Sequence, residues 1–113
     1  MHPDLEALLA LHDLDALIEE AQDPKLQELG LAPPEERLRE LLARREEIAS
    51  RLPKQILSRY EKLRKRYRRG IAPVVGGVCM NCFAELPIAM VTSSRKNHEL
   101  QTCPSCGIFI YWV

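Results

Sequence analysis

The sequence has no long apolar run, no net charge, few glycines and only four cysteines. Each shortage excludes something. No stretch approaches the roughly 20 consecutive apolar residues that a membrane-spanning helix needs. The opening residues, MHPDLEALLALHDLDALIEE, are acidic, whereas a secretory signal has a basic start and an unbroken apolar run. Both absences lead to the expectation of a cytoplasmic chain with no membrane association. A length of 113 residues limits the chain to one small domain, or a small domain with an appendage. The five glycines form no phosphate-cradling loop, because the pair Gly76-Gly77 lies between short apolar stretches and has no lysine motif. Ser93 and Ser94 have only His98 nearby and no third group to complete a nucleophilic site. Glu85 and Glu99 flank no open metal position. The chain is therefore expected not to be an enzyme.

What is present is unevenly distributed. The 16 basic and 16 acidic side chains cancel, so bulk charge predicts no partner. Residues 1–50, however, hold 13 acidic against 5 basic side chains, and residues 51–70 hold 9 basic against the single acidic Glu61. A basic patch in the middle of the chain follows.

The first segment reads as a helix from about Asp4 to Ala21, with Asp4 as its cap after Pro3. Ala7, Leu11, Leu14, Ile18 and Ala21 make a stripe, widened by Leu5, Leu8, Leu9 and Leu17. A Pro- and Gly-containing connector follows near 22–34, with room for one helical turn around Lys25 to Leu29. A second helical segment starts near Pro33 or Pro34, where Glu35 and Glu36 favour the positive helix end. Its stripe is Leu38, Leu41, Arg45, Ile48, Leu52, Ile56, Tyr60, Leu63 and Tyr67. The spacing alternates three and four, as in a coiled-coil seam. Pro53 interrupts the helix but not the stripe. Either the helix kinks there or a new one begins, and the second reading is favoured. The two segments suit a short antiparallel hairpin. Neither buries its broad apolar face alone, so self-association through the helices is a further expectation.

From Ile71 the composition changes. IAPVVGGVC reads as strand, turn, strand, and ELQTC and GIFIYWV have strand character. The expected class is α+β: helical over 1–70 and a small β unit over 71–113.

Cys79-Met80-Asn81-Cys82 and Cys103-Pro104-Ser105-Cys106 are separated by 20 residues. Paired Cys-x-x-Cys turns at this distance are a strong zinc pattern, because each turn aims two sulfurs at one point and two turns complete a tetrahedron. Disulfides and redox chemistry are the competing readings. A reducing compartment argues against the first, and the lack of a pair opening a helix argues against the second. Four thiolates leave zinc no open position, so one structural ion is expected. His98 is not needed as a ligand, and His2 and His12 have no evident role. Gly107 after the second pair suits a turn of positive φ, whereas Phe83 stands at that place after the first pair.

Three readings compete for the basic run Arg59 to Gly70. Lys62, Arg64, Lys65, Arg66, Arg68 and Arg69 are too dense for one helix face. They suit a solvated helix C-terminus, an acidic protein surface, or phosphates. Arg95 and Lys96, on an expected turn of the β unit, extend the patch.

Ile56 to Arg64, Ile71 to Val75, Gly77 to Cys82, Leu86-Pro87, and Cys103 to Gly107 followed by Ile110-Tyr111-Trp112 stand in a distinctive order. This order resembles a bacterial family of four-cysteine zinc-ribbon proteins with an N-terminal coiled-coil hairpin. The resemblance covers about residues 52–112 and extends to the Leu-rich first helix. It implies an elongated helical hairpin topped by a zinc ribbon, with Cys79, Cys82, Cys103 and Cys106 as metal ligands. Family members act as adaptors or chaperones. They are linked to the alternative sigma factor of flagellar and type III secretion systems, to secretion components, and in one case to messenger RNA. The family's hairpin is far longer than the one this chain can form.

The expected function is a non-enzymatic adaptor or regulator that binds protein partners, in transcription or secretion. The alternative is a nucleic-acid-binding protein that uses residues 59–69 and the ribbon. The last strand is expected to pair with residues 99–102. Alternation divides it into Ile108, Ile110 and Trp112 on one side and Phe109, Tyr111 and Val113 on the other. One row forms ribbon core, and the other meets the helical segment, a second copy or a partner, with packing on the chain's own second helix favoured.

Overall fold

A computed structural model describes residues 1–113. The chain is α+β: helices first, then a small curled sheet of four strands. The helices are α1 (Pro3–Ala21), α2 (Pro24–Glu28), α3 (Glu35–Ala49) and α4 (Lys54–Tyr67). The ribbon holds β1 (Ile71–Val75), β2 (Val78–Cys79), the one-turn α5 (Ile88–Val91), β3 (Gln101–Thr102) and β4 (Phe109–Trp112). No helix is long and apolar enough to cross a membrane.

The helix ends follow local chemistry. His2, not Asp4, caps α1: its Nδ1 accepts the Asp4 N–H at 3.1 Å, and Pro3 occupies the first turn, where its missing N–H costs nothing. The connector contains α2, capped by Asp23 through the Lys25 N–H. Between α3 and α4 the chain leaves the helix at Ser50 and re-enters at Lys54, with Pro53 in extended conformation as cap. Proline supplies no N–H to a continuing helix, so the break falls here.

The early part of α1 and the late part of α3 share one core: Leu5, Leu8 and Leu11 pack with Ile48, Ala49 and Leu52. At the other end Leu17 and Ala21 lie beside Arg37 and Leu41. The two helices thus run antiparallel. The buried row of α1 is Leu5, Leu8, Leu11, Asp15, Ile18 and Ala21. This row is rotated from the predicted stripe. Ala7 and Leu14 are only half-buried, Leu17 is exposed, and a carboxylate takes the central place.

The sheet order is β2-β1-β4-β3. β1 and β2 form the predicted hairpin, with Val75 opposite Val78 and positive φ at Gly76 and Gly77 in the turn. β3 and β4 pair antiparallel, Gln101 with Ile110 and Thr102 with Phe109. The central pairing, β1 parallel to β4, sets Ile71 opposite Phe109 and Val74 opposite Trp112. It joins the two hairpins into one sheet.

β4 is a wall between two cores. Ile108 and Ile110 belong to the ribbon core with Ala72, Val74, Leu86, Cys79 and Cys103, and Trp112 packs against it. Phe109 faces the helices, in a core with Leu5, Leu8, Leu11, Tyr60 and Ile71, and Tyr111 packs at its edge. The outward row therefore meets α1 as well as α4, while Val113 stays exposed. Gly70 allows this junction, because a Cβ there would lie 2.2 Å from the Tyr60 ring.

Candidate metal centre and basic surface

The two cysteine turns are built alike. The Phe83 N–H donates to the Cys79 carbonyl, and the Gly107 N–H to the Cys103 carbonyl, each at 2.8 Å. The Cys79 N–H donates to Ala84 O at 3.1 Å, and the Cys103 N–H to Ile108 O at 2.9 Å. Both turns end in the left-handed region, at φ 79° for Gly107 and φ 62° for Phe83. Phe83 thus adopts the glycine conformation despite its side chain.

The four sulfurs lie within 4.8 Å of one another. Across the turns, Cys79 Sγ is 4.0 Å from Cys106 Sγ, and Cys82 Sγ is 3.8 Å from Cys103 Sγ. Four thiolates on one ion with bonds of about 2.3 Å would stand about 3.8 Å apart, so the cluster fits one tetrahedral ion. A disulfide, with sulfurs about 2.0 Å apart, is not formed by any pair. Cys79 and Cys103 are buried, and Cys82 and Cys106 are half-buried.

Burial pushes the Cys79 thiol up to about 12, against the pull of the Cys82 and Asn81 amides. Burial also raises Cys103, which receives the Cys106 and Ser105 amides. The Ala84 amide draws Cys82 down to about 7. The buried pair favours protonation, so a cation that takes all four sulfurs must displace protons as it binds. His98 lies outside the cluster.

The ribbon is held from the helix side. The Tyr67 hydroxyl donates to the Cys106 carbonyl at 3.4 Å, and the Arg59 guanidinium to the Gly107 carbonyl at 3.1 Å. Arg59 also lies over the Phe109 ring, 5.6 Å from its centre. On the far side, the Asn97 side chain brackets Trp112, accepting its N–H at 2.7 Å and donating to its carbonyl at 2.8 Å. The Asn97 carbonyl accepts the His2 N–H at 2.7 Å, tying the start of α1 to the ribbon.

The basic residues divide. Arg64 turns inward, to Asp15 at 3.5 Å, Glu19 at 3.0 Å and Glu61 at 3.6 Å. Lys62, Lys65, Arg66, Arg68 and Arg69 form no ion pair. Lys62 instead lines an open groove of 440 Å³ with Lys54, Gln55, Ser58 and Arg59. Arg95 pairs with Glu99 at 3.8 Å, and Lys96 lies over the Trp112 ring at 4.8 Å.

Sequence reasoning missed Asp15. It is 5 % exposed and accepts from Arg45 Nε at 2.7 Å and from the Tyr60 hydroxyl at 2.9 Å. Arg45 also pairs with Glu61. Burial opposes the Arg45 charge, but the hydrogen bonds of Asp15 and Glu61 outweigh it and raise its pKa. The signal was present: Asp15 follows Leu11 by four and precedes Ile18 by three, so helical spacing puts a carboxylate on the apolar face.

Comparison with protein-family models and with curated proteins gives no match. Two solved structures are similar. One is CT398 from Chlamydia trachomatis, with 28 % identity, a TM-score of 0.57, and 70 % of this chain aligned to 34 % of that one. The other is a protein from Mycobacterium smegmatis, with 28 % identity, a TM-score of 0.53, and 84 % of this chain aligned to 39 % of that one. The chain thus spans between a third and two-fifths of the length of the structures it matches.

Proposed function

We propose that Cys79, Cys82, Cys103 and Cys106 bind one structural zinc ion, and that the ribbon so formed is a non-enzymatic adaptor for protein partners. The chemistry of the donor set supports zinc. Four sulfur ligands at tetrahedral spacing suit a soft, redox-inert ion and leave no position for substrate. A reducing, cytoplasmic setting, drawn from the acidic start and the lack of a long apolar run, is part of the same reading. So is a role in transcription or secretion, drawn from the resemblance to the coiled-coil zinc-ribbon family.

The observation that carries the adaptor reading is Phe83. The residue is 72 % exposed although its backbone is left-handed at φ 62°. That conformation costs a non-glycine residue about 1–2 kcal/mol, and the matching place in the other turn is Gly107. An exposed aromatic kept at such a cost suits a contact residue. Ile88, 80 % exposed, adds apolar surface to the same ribbon. The test is affinity purification from nuclease-treated lysate with wild type and Phe83→Gly. The variant should fold with equal or greater stability and lose the co-purifying protein. Nothing above background with wild type ends the adaptor reading, and equal capture by both chains removes Phe83 as its contact residue.

The five unpaired cations of α4 and its end favour nucleic acid as the second reading. It requires binding to RNA or DNA that weakens steeply with salt. A flat salt response removes it.

A further inference from the structure

One side chain reaches across the metal centre. Asn81 belongs to the first cysteine turn, yet its Nδ2 donates to the Sγ of Cys106 in the second, at 3.4 Å. The matching place in the second turn is Ser105, whose side chain is one bond shorter. The sulfurs are therefore not equivalent. Burial shields Cys79 and Cys103, whereas Cys82 and Cys106 are both half-buried. Of these two, Cys82 receives only the backbone amide of Ala84 from its own turn, whereas Cys106 receives a side-chain amide that reaches over from the other turn.

Cys106 is also the ligand most tied to the rest of the chain. Its carbonyl accepts from Tyr67, and the carbonyl of the next residue, Gly107, accepts from Arg59. Cys82 is followed instead by Phe83, whose ring projects into solvent. An amide hydrogen bond withdraws electron density from a thiolate and occupies one of its lone pairs. Such bonds around metal ligands orient them and tune their hold on the ion.

We propose that Asn81 is a positioning residue of the metal centre. Its amide caps the Cys106 sulfur, locks the second turn onto the ion, and leaves Cys82 as the ligand through which the site opens. Metal exchange and attack by electrophiles then begin at Cys82. This rests on the four-cysteine metal reading above.

The test uses the full chain loaded with zinc, and in parallel with cobalt(II), whose sulfur charge-transfer and ligand-field bands report a four-sulfur site. Iodoacetamide labels the zinc-loaded protein, and peptide mass mapping follows each cysteine separately. In wild type Cys82 should be alkylated first. In Asn81→Ala, labelling of Cys106 should rise about tenfold relative to Cys82, as expected for one lost hydrogen bond to a charged group. Asn81→Asp keeps the size, replaces the donor with an acceptor, and should show the same selective rise, so the test survives if the alanine variant misfolds. Tyr67→Phe keeps the packed ring and removes only the hydroxyl bond to the Cys106 carbonyl, so it should leave the sulfur's rate unchanged.

An unchanged Cys106 rate with an intact four-sulfur cobalt spectrum overturns the proposal. So does an equal acceleration of all four cysteines, which would make Asn81 merely structural. A wild-type chain that develops no cobalt–sulfur bands defeats the metal reading itself, an outcome distinct from either.

Discussion

The Tyr60 hydroxyl donates to Asp15 at 2.9 Å in the middle of the helical core, where Tyr60 is fully buried. The bond joins α4 to α1, and Arg45 brings α3 to the same carboxylate. Three helices thus meet at one charge. No buried side-chain polar atom is left without a partner, which is the condition for tolerating such a cluster in a core.

Replacing Asp15 should be costly, because it leaves the buried Tyr60 hydroxyl without its acceptor and takes one of two carboxylates from Arg45. Asp15→Ala is expected to lose about 2–4 kcal/mol, the lower side of the range for breaking a buried ion pair, since Arg45 and Glu61 reach solvent. Urea unfolding measures it. A loss below about 0.5 kcal/mol, the size of an ordinary surface substitution, would show that the cluster is not a stabilising junction.

Tyr60 should also set an alkaline limit. Burial, with the charge and hydrogen bond of Asp15, holds its phenol above the ordinary tyrosine range. A folded-state value above the unfolded one means stability is fully present below about pH 10 and declines as pH rises beyond it. Tyr60→Phe keeps the ring and loses about 1 kcal/mol at neutral pH. Its stability should fall less steeply than wild type above pH 10 or so. Parallel alkaline limbs in the two chains would refute the assignment.

Gly70 is the tightest point of the helix–ribbon junction. A Cβ there would lie 2.2 Å and 2.5 Å from two Tyr60 ring carbons. The ring is fully buried and has no room to retreat. Gly70→Ala should therefore cost about 1–3 kcal/mol through overpacking, seen as a lower thermal midpoint. At Gly76 a Cβ meets nothing within 4 Å, and only its φ of 57° opposes substitution. Gly76→Ala is the milder control.

The metal should be required for the ribbon. Removing the bound metal with a strong chelator, or Cys106→Ser, is expected to unfold residues 71–113 and collapse the near-ultraviolet signal of Trp112 and Tyr111. Trp112 is sensitive because its indole N–H donates to Gln101 on β3 at 2.7 Å and its backbone is bracketed by Asn97. An unchanged spectrum after verified metal loss would show that the strands hold without the ion.

The sequence by itself determined the local features. Heptad spacing, the prolines, the Gly-Gly turn and the two Cys-x-x-Cys pairs each act within a few residues, so helices, hairpin and cysteine turns could be read from them. It also divided the last strand into its two rows, because alternation is a property of any strand. Tertiary structure alone decided what each row meets. Phe109 packs against Leu5 and Leu8, about a hundred residues earlier, once the parallel β1–β4 pairing brings β4 under the helices. Likewise Asp15 reads as a break in an apolar stripe until Arg45 and Tyr60 arrive from other helices to neutralise and bond it. Periodicity reports which residues share a face. Only the meeting of faces decides which charges are paired, which cations stay free and which side chains become core.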